Sequence, residues 1–357
     1  MTFLFHSACG SSGALYNIFY SDATPAVSLA YDAFQRLAAA SNAVAAYVYA
    51  NSALGATTSE VVTLNGHTVT LARELDEHHR LAALRIGPDA LAHCGYDAES
   101  RLAAVSNDAF AVNYAYTDDA WDAGYTITLT NGMILSRAVT RDPYRRQLVT
   151  VVSNAVAGSV ASAYHYNYDL LSRVASRNND AFGYNPRSEL TGASIGTNLY
   201  GYAYDGIGNA LWTTNNGVGT AYLTNPLNQY TNILRASAPP REISPTHDAD
   251  GNMITNGVWS YTWDAENRLV AAYSNGLCVV SNAYDHLSRR VLKFTPTSTH
   301  TFICDGWNLV QETIHNQQST TTNHYVWGKD LSGTLQGAGG VGGLLAVQMG
   351  NTWYFPL

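Results

Sequence analysis

Five groups of residues in this chain have types and spacings that invite a chemical reading. Gly337, Gly339 and Gly342 fall in the order G-x-G-x-x-G, the pattern that cradles a dinucleotide pyrophosphate where a strand enters a helix. That site also needs a long following helix and an acidic residue about 20 positions on. Gly350, Asn351 and Pro356 interrupt the stretch instead, so it reads as a glycine-rich turn or plug in which backbone approaches backbone closely. Asp248, Asp250 and Asn252 resemble the start of a calcium loop, whose oxygen ligands suit a hard cation, but the distant bidentate Glu is missing. The same letters occur in the corner from Asp205 to Asn209, so turn chemistry explains them. Asp118, Asp119 and Asp122 surround Trp121 and could serve as a glycosidase acid and base; a solvated acidic loop accounts for them more simply. Eleven histidines include the adjacent His78 and His79, which a strand sends to opposite faces, and no H-E-x-x-H or H-x-H pattern joins any of them. Cys9, Cys94, Cys278 and Cys304 form no C-x-x-C pair and read as small buried hydrophobes, and no G-x-S-x-G nucleophile elbow is present. The expectation is therefore a protein without catalytic residues, metal or cofactor.

The elements that would have to position such groups are set by composition. Only 13% of the 357 residues are charged, about half the usual share, while Tyr (24), Gly (29) and Asn (28) are abundant. Tyr favours strands, and Asn and Gly tolerate the positive φ of tight hairpins. Lysine occurs twice, at Lys293 and Lys329, and the net charge is −8. This leaves no basic patch to neutralise phosphates and argues against a nucleic-acid partner. No run of 18 apolar residues suggests a transmembrane helix. The start of the chain lacks a basic n-region, and Cys9 sits in a poor lipobox, so no secretion signal is read.

One pattern recurs: aromatic, Asp, three variable residues, Arg, aliphatic. Full copies are Tyr31-Asp32 to Arg36, Tyr96-Asp97 to Arg101, Tyr168-Asp169 to Arg173 and Trp263-Asp264 to Arg268; Tyr284-Asp285 to Arg289 lacks only the final aliphatic residue, and Leu75 replaces the aromatic before Asp76 and Arg80. Weaker copies are Arg141-Asp142 to Arg146, Tyr184-Asn185 to Glu189, Tyr204-Asp205, His247-Asp248 and Cys304-Asp305. Aspartates about one hairpin apart (76 to 97, 264 to 285, 285 to 305) predict one strand-turn-strand unit per copy. In this reading Asp caps the turn amides, and Arg opens the return strand, where it reaches back to Asp or stacks on the Tyr ring. Asn65-Gly66, Asn131-Gly132, Asn216-Gly217, Asn256-Gly257 and Asn275-Gly276 predict type I′ hairpins at the opposite ends. Residues 69–91 also have an apolar spacing compatible with an amphipathic helix, but the copy at Asp76 is in phase with the repeat and favours strands. Ala236 to Pro245 reads as an irregular crossover. The predicted fold is all-β, a long antiparallel meander of hairpin repeats.

These units resemble the YD-repeat (Rhs) family. The resemblance runs over about residues 20 to 345 and is most specific from Tyr325 to Leu345, which is similar to the Rhs core segment and includes Trp327, Gly328, Asp330, Gly333, Gly337, Gly339, Gly340, Gly342 and Gly343. It implies a coiled ribbon of sheet forming part of a hollow shell around a C-terminal toxin. It divides the chain into an N-terminal segment (1–20), a YD-repeat region (21–324), a core segment (325–345) and a tail (346–357). Toxin-carrying members continue into an Asp-Pro-x-Gly-Leu segment where aspartates release the toxin. That signature does not occur before Leu357, so self-cleavage is not expected of this chain, which reads as a fragment or a truncated copy. Secretion or a cell-surface location is suggested by the resemblance alone. Two functions remain open: a structural wall for a toxin cargo encoded downstream, and a surface module that binds glycans through Tyr and Trp faces.

Overall fold

The computed structural model describes residues 6–9, 13–145, 147–236 and 241–356, with backbone only at 6–9 and 241. Among these residues every regular element is a strand, so 69–91 is sheet and turn, with strands His67–Leu75 and Leu81–Ile86. No helix is long and apolar enough to cross a membrane. Each strand pairs antiparallel with the next in sequence, from His6–Cys9 to Arg241–Ile243, and again from Thr246–His247 to Thr352–Tyr354. The break falls within the expected crossover, of which residues 237–240 lie outside the described set. The two runs form separate sheets.

Alternation along the strands decides which side each sheet buries. In Ala45–Asn51, Ala45 and Tyr47 are buried while Ala46 and Val48 are exposed. The apolar sides of residues 29–135 and 291–346 face one another and share one core, in which Leu71, Val105, Val112, Ile127 and Ala346 have no measurable exposure. The stretch between them is thinner: from Val156 to Arg235 only Ala193 is a buried hydrophobic residue.

Of the five Asn-Gly pairs, Asn65-Gly66, Asn216-Gly217 and Asn275-Gly276 have positive φ at both residues, as a type I′ turn requires. The other two differ because partner register sets the turn. Opposite Trp259, Asn256 is the last strand residue, so Gly257 and Val258 form the loop with positive φ at Gly257 alone. At Asn131-Gly132 the loop is one residue longer, with Gly132 donating to the Leu129 carbonyl and only the glycine left-handed.

Candidate functional site

The candidate site is built from the Tyr-Asp corners and the glycine-rich segment that follows them. At Asp32 the corner is a type I turn closed by a bulge: Asp32 N donates to the Arg36 carbonyl, Gln35 N donates to the Asp32 carbonyl, and Gln35 is left-handed at φ 59. Asp32 Oδ1 accepts the amides of Phe34 and Arg36, and Oδ2 accepts Arg36 Nε at 2.7 Å. The same arrangement recurs at Asp76 with Arg80, Asp97 with Arg101, Asp169 with Arg173, Asp264 with Arg268 and Asp285 with Arg289. The turn amides of Arg36 and Arg173 hold the Asp32 and Asp169 carboxyls below the usual carboxylate range. At Asp205 and Asp248 the side chains of Asn209 and Asn252 take the arginine's place. The calcium-like residues around Asp248 are therefore committed to their own turn. Asp142 pairs with Arg145 at 3.4 Å; the expected Arg146 lies outside the described residues.

The arginine also binds forward along the chain. Arg80 lies 4.2 Å from the ring centre of Tyr96, Arg101 4.4 Å from Tyr116, Arg173 4.7 Å from Tyr184 and Arg268 5.0 Å from Tyr284. Each ring belongs to the next corner. The arginine thus does reach back to its own Asp, and at these four corners it stacks on the following repeat's aromatic rather than on the motif's own Tyr. The hydroxyls point backward: Tyr96 donates to the Leu81 carbonyl, Tyr116 to Leu102, Tyr168 to Val149 and Tyr184 to Val174. A bulge explains why those carbonyls are free. The register shifts beside the aromatic at almost every corner, so that the residue after Arg and the one following it together oppose the aromatic, and the neighbouring Tyr hydroxyl takes the oxygen of the first. Trp263 and Trp327 do the same with their indole N–H, to Met253 and Leu309.

Three corners lack the sequence pattern. Ser52, Thr117 and Asn225 occupy the Asp position, with turn closures from Ser52 N to the Ala56 carbonyl, Thr117 N to Trp121 and Asn225 N to Gln229. Their signal is a short polar residue at the cap position about 20 residues from the neighbouring corner. Asp305 differs again: Gly306 and Trp307 form a two-residue loop, and its carboxylate meets Arg73 from the facing sheet at 2.5 Å.

The corners of the second sheet dock sideways on the first. Ala265 N donates to Thr24 Oγ1, and Tyr47 donates to Asp285 Oδ2 at 2.8 Å. Arg73 bridges Glu60 and Asp305, and the Lys329 amide donates to the Tyr114 hydroxyl. Burial raises the pKa of Tyr47 further than its carboxylate neighbour does. Burial opposes the charge on Arg289, yet its neighbours, Asp285 foremost and Tyr47 after it, together hold that pKa above the ordinary value.

The glycine-rich segment closes one end of the shared core. Asp330 is itself a corner: its amide donates to the Thr334 carbonyl, Gly333 N returns to the Asp330 carbonyl, and Oδ2 accepts the amides of Ala338 and Gly340. A β-carbon on Gly328 would fall 1.8 Å from the Tyr114 hydroxyl, and one on Gly343 would fall 3.1 Å from the Gly328 carbonyl. Gly339, Gly340 and Gly342 have positive φ, and Gly337 sits against Ser332 and Thr334. Lys329 is 4% exposed, with its ammonium 3.1 Å from Asp122 and over the rings of Tyr116 and Tyr114. Behind this segment lies a cavity of about 740 Å³.

Chemistry elsewhere is sparse. No group of three His, Cys, Asp or Glu side chains is placed to hold a metal among the described residues. Ser298, His300 and Glu312 form a chain of 3.0 and 2.8 Å contacts that looks like a nucleophile, base and acid. The Ser298 hydroxyl is shared with Thr295, and Asn323 and Tyr325 occupy Glu312 from the other side. This is a cross-strand polar network in which every one of these groups is already bound to a neighbour.

A family model described as the teneurin YD-shell matches residues 123–328. The tRNA nuclease WapA of Bacillus subtilis (strain 168) is 28% identical over 131 residues, covering 36% of this chain and 5% of the nuclease. The WapA nuclease of Bacillus spizizenii matches with the same figures. Among solved structures, a chain in the crystal structure of TcdB2-TccC3-TEV has a TM-score of 0.53 at 12% identity, covering 97% of this chain and 23% of that one. The chain therefore spans a small part of each of these relatives.

Proposed function

The chain belongs to the teneurin YD-shell family, and on that premise we propose that this structural shell module is a stretch of wall from a shell that encloses a toxin polypeptide. The sideways docking supports the reading most directly. Contacts from Tyr47 to Asp285, Arg73 to Asp305 and Asp122 to Lys329 join residues more than 200 positions apart, so the ribbon returns over its own beginning. A ribbon that does this encloses space without needing a catalytic group. In this reading residues 21–324 supply the wall, and the glycine-rich residues 325–345 act as the family's core segment and close it. The glycan reading has less support, because several rings it would use carry a guanidinium on one face and a hydroxyl bond at the edge.

The test follows the whole polypeptide encoded by the gene that carries this chain. Under limited proteolysis, sequence beyond the wall should be released only as the wall unfolds. Encapsulation is refuted if that sequence is digested while the wall stays intact, or if the gene encodes no further domain.

A further inference from the structure

The cavity behind the glycine-rich segment contains an imbalance of charge. One side is the repeat wall, with Leu102, Val139, Val149 and Val152; the other is the closing segment, with Leu335 and Leu345. Its volume of about 740 Å³ lies within the range of small-molecule sites, roughly 300 to 1,000 Å³.

Five cations line it, and four are answered. Arg80 is paired with Asp76 at 2.7 Å, Arg101 with Asp97 at 2.6 Å and Lys329 with Asp122 at 3.1 Å. Arg141 lies over the Trp121 ring and donates to the Asp122 carbonyl. The Asp330 carboxylate is occupied by Ser332, Ala338 and Gly340. Arg137 is different. It stands directly opposite Tyr125 on the neighbouring strand, both lining the cavity, and no carboxylate is paired with it among the described residues. A half-buried guanidinium facing an apolar space gains most from a ligand that brings its own anion.

We propose that this cavity binds a small amphipathic carboxylate, with its carboxylate on Arg137 and Tyr125 and its apolar body against Val139, Val152 and Leu345. A neutral ligand leaves the guanidinium unanswered. A polyanion has no second unpaired cation to meet, so a single charge on an apolar stem is the matching class. The inference does not depend on the enclosure of a toxin, since the cavity lies within the chain described.

The test is isothermal titration calorimetry of the 357-residue chain with naphthoate and dodecanoate, beside the neutral naphthylmethanol and dodecanol. Saturable one-to-one binding of at least one anion is expected, with its neutral counterpart at least tenfold weaker. Arg137→Gln should weaken the anion about tenfold, or about 1.4 kcal/mol. Arg137→Lys should restore most of that loss, and Arg177→Gln, outside the cavity, should change nothing. Val139→Trp fills the space while keeping Arg137 and should abolish binding, which covers the case in which Arg137→Gln is misfolded. Absence of saturable binding, equal affinity for the neutral analogues, or binding unchanged in both Arg137→Gln and Val139→Trp overturns the proposal.

Discussion

Two corners with the same motif should respond very differently to the same substitution. In Asp97 and Arg101 the side chains are 22% and 30% exposed, whereas in Asp285 and Arg289 they are 0% and 5% exposed. Removing Arg101 leaves a carboxylate that water can reach and that two turn amides still satisfy. An exposed pair contributes about 0 to 1 kcal/mol, and the lost ring contact adds about 0.5 to 1 kcal/mol. Removing Arg289 leaves Asp285 charged and out of water, with the Tyr47 hydroxyl and the amides of Leu287 and Arg289 as its remaining partners. It also frees the Gly306 carbonyl, which Arg289 reaches at 2.6 Å. Breaking a buried pair costs about 3 to 5 kcal/mol. Arg289→Gln should therefore destabilise the chain by about 2 kcal/mol or more beyond Arg101→Gln, taking the lower buried figure and an exposed loss near 1 kcal/mol. Urea unfolding followed by tryptophan fluorescence measures both losses. Equal losses, within about 1 kcal/mol, would refute the idea that sideways docking rather than the motif sets the energy of a corner.

Tyr96→Phe keeps the ring beside Arg80 but removes the bond to the Leu81 carbonyl, and should cost about 0.5 to 1.5 kcal/mol in the same unfolding assay. Gly328→Ala drives a methyl into the Tyr114 hydroxyl and should speed amide hydrogen exchange throughout 328–345, whereas Gly333→Ala, with open space around it, should cost only about 1 kcal/mol through its positive φ. Burial lowers the pKa of His286, so the folded chain binds fewer protons there than the unfolded one. Its contribution is fully present above the ordinary His range and is lost progressively as pH falls from about 6.5 down to the lower folded-state value, with a slope of up to about 1.4 kcal/mol per pH unit. The urea midpoint should fall between pH 7.5 and 5.5, and His286→Phe should flatten that slope.

The local half of this architecture is legible in the sequence because it is written at short range. Asp and Arg four positions apart, with a left-handed residue between, specify a corner that needs nothing from the rest of the chain. Corners at Ser52, Thr117 and Asn225 escape notice because the cap position accepts any short polar acceptor, while the Asp-Arg pair is what catches the eye. The turn types at Asn131 and Asn256 depend on partner register, which a dipeptide does not carry. The sideways contacts are harder still. Tyr47, Arg73, Tyr114 and Lys329 belong to no repeated motif, and their partners lie more than 200 residues away. Nothing in the local pattern distinguishes the buried Asp285 from the exposed Asp97, and the cavity beside Arg137 exists only because two distant segments meet.

Bulges recur at nearly every corner along one rim of the ribbon and only at a few of the opposite turns, among them Leu84, Asn154 and Ala272, and the corner rim is tied from one unit to the next by arginine and tyrosine. A strip kinked and stitched mainly along one margin curls in one sense, and its curl grows with each unit added. The number of units between Asp122 and Asp285 is thereby a counted quantity. Inserting or deleting one hairpin there would carry Asp285, Asp305 and Lys329 past Tyr47, Arg73 and Asp122 together. Natural length variation in that stretch should thus come as longer loops, or as a whole extra circuit, rather than as a single added hairpin.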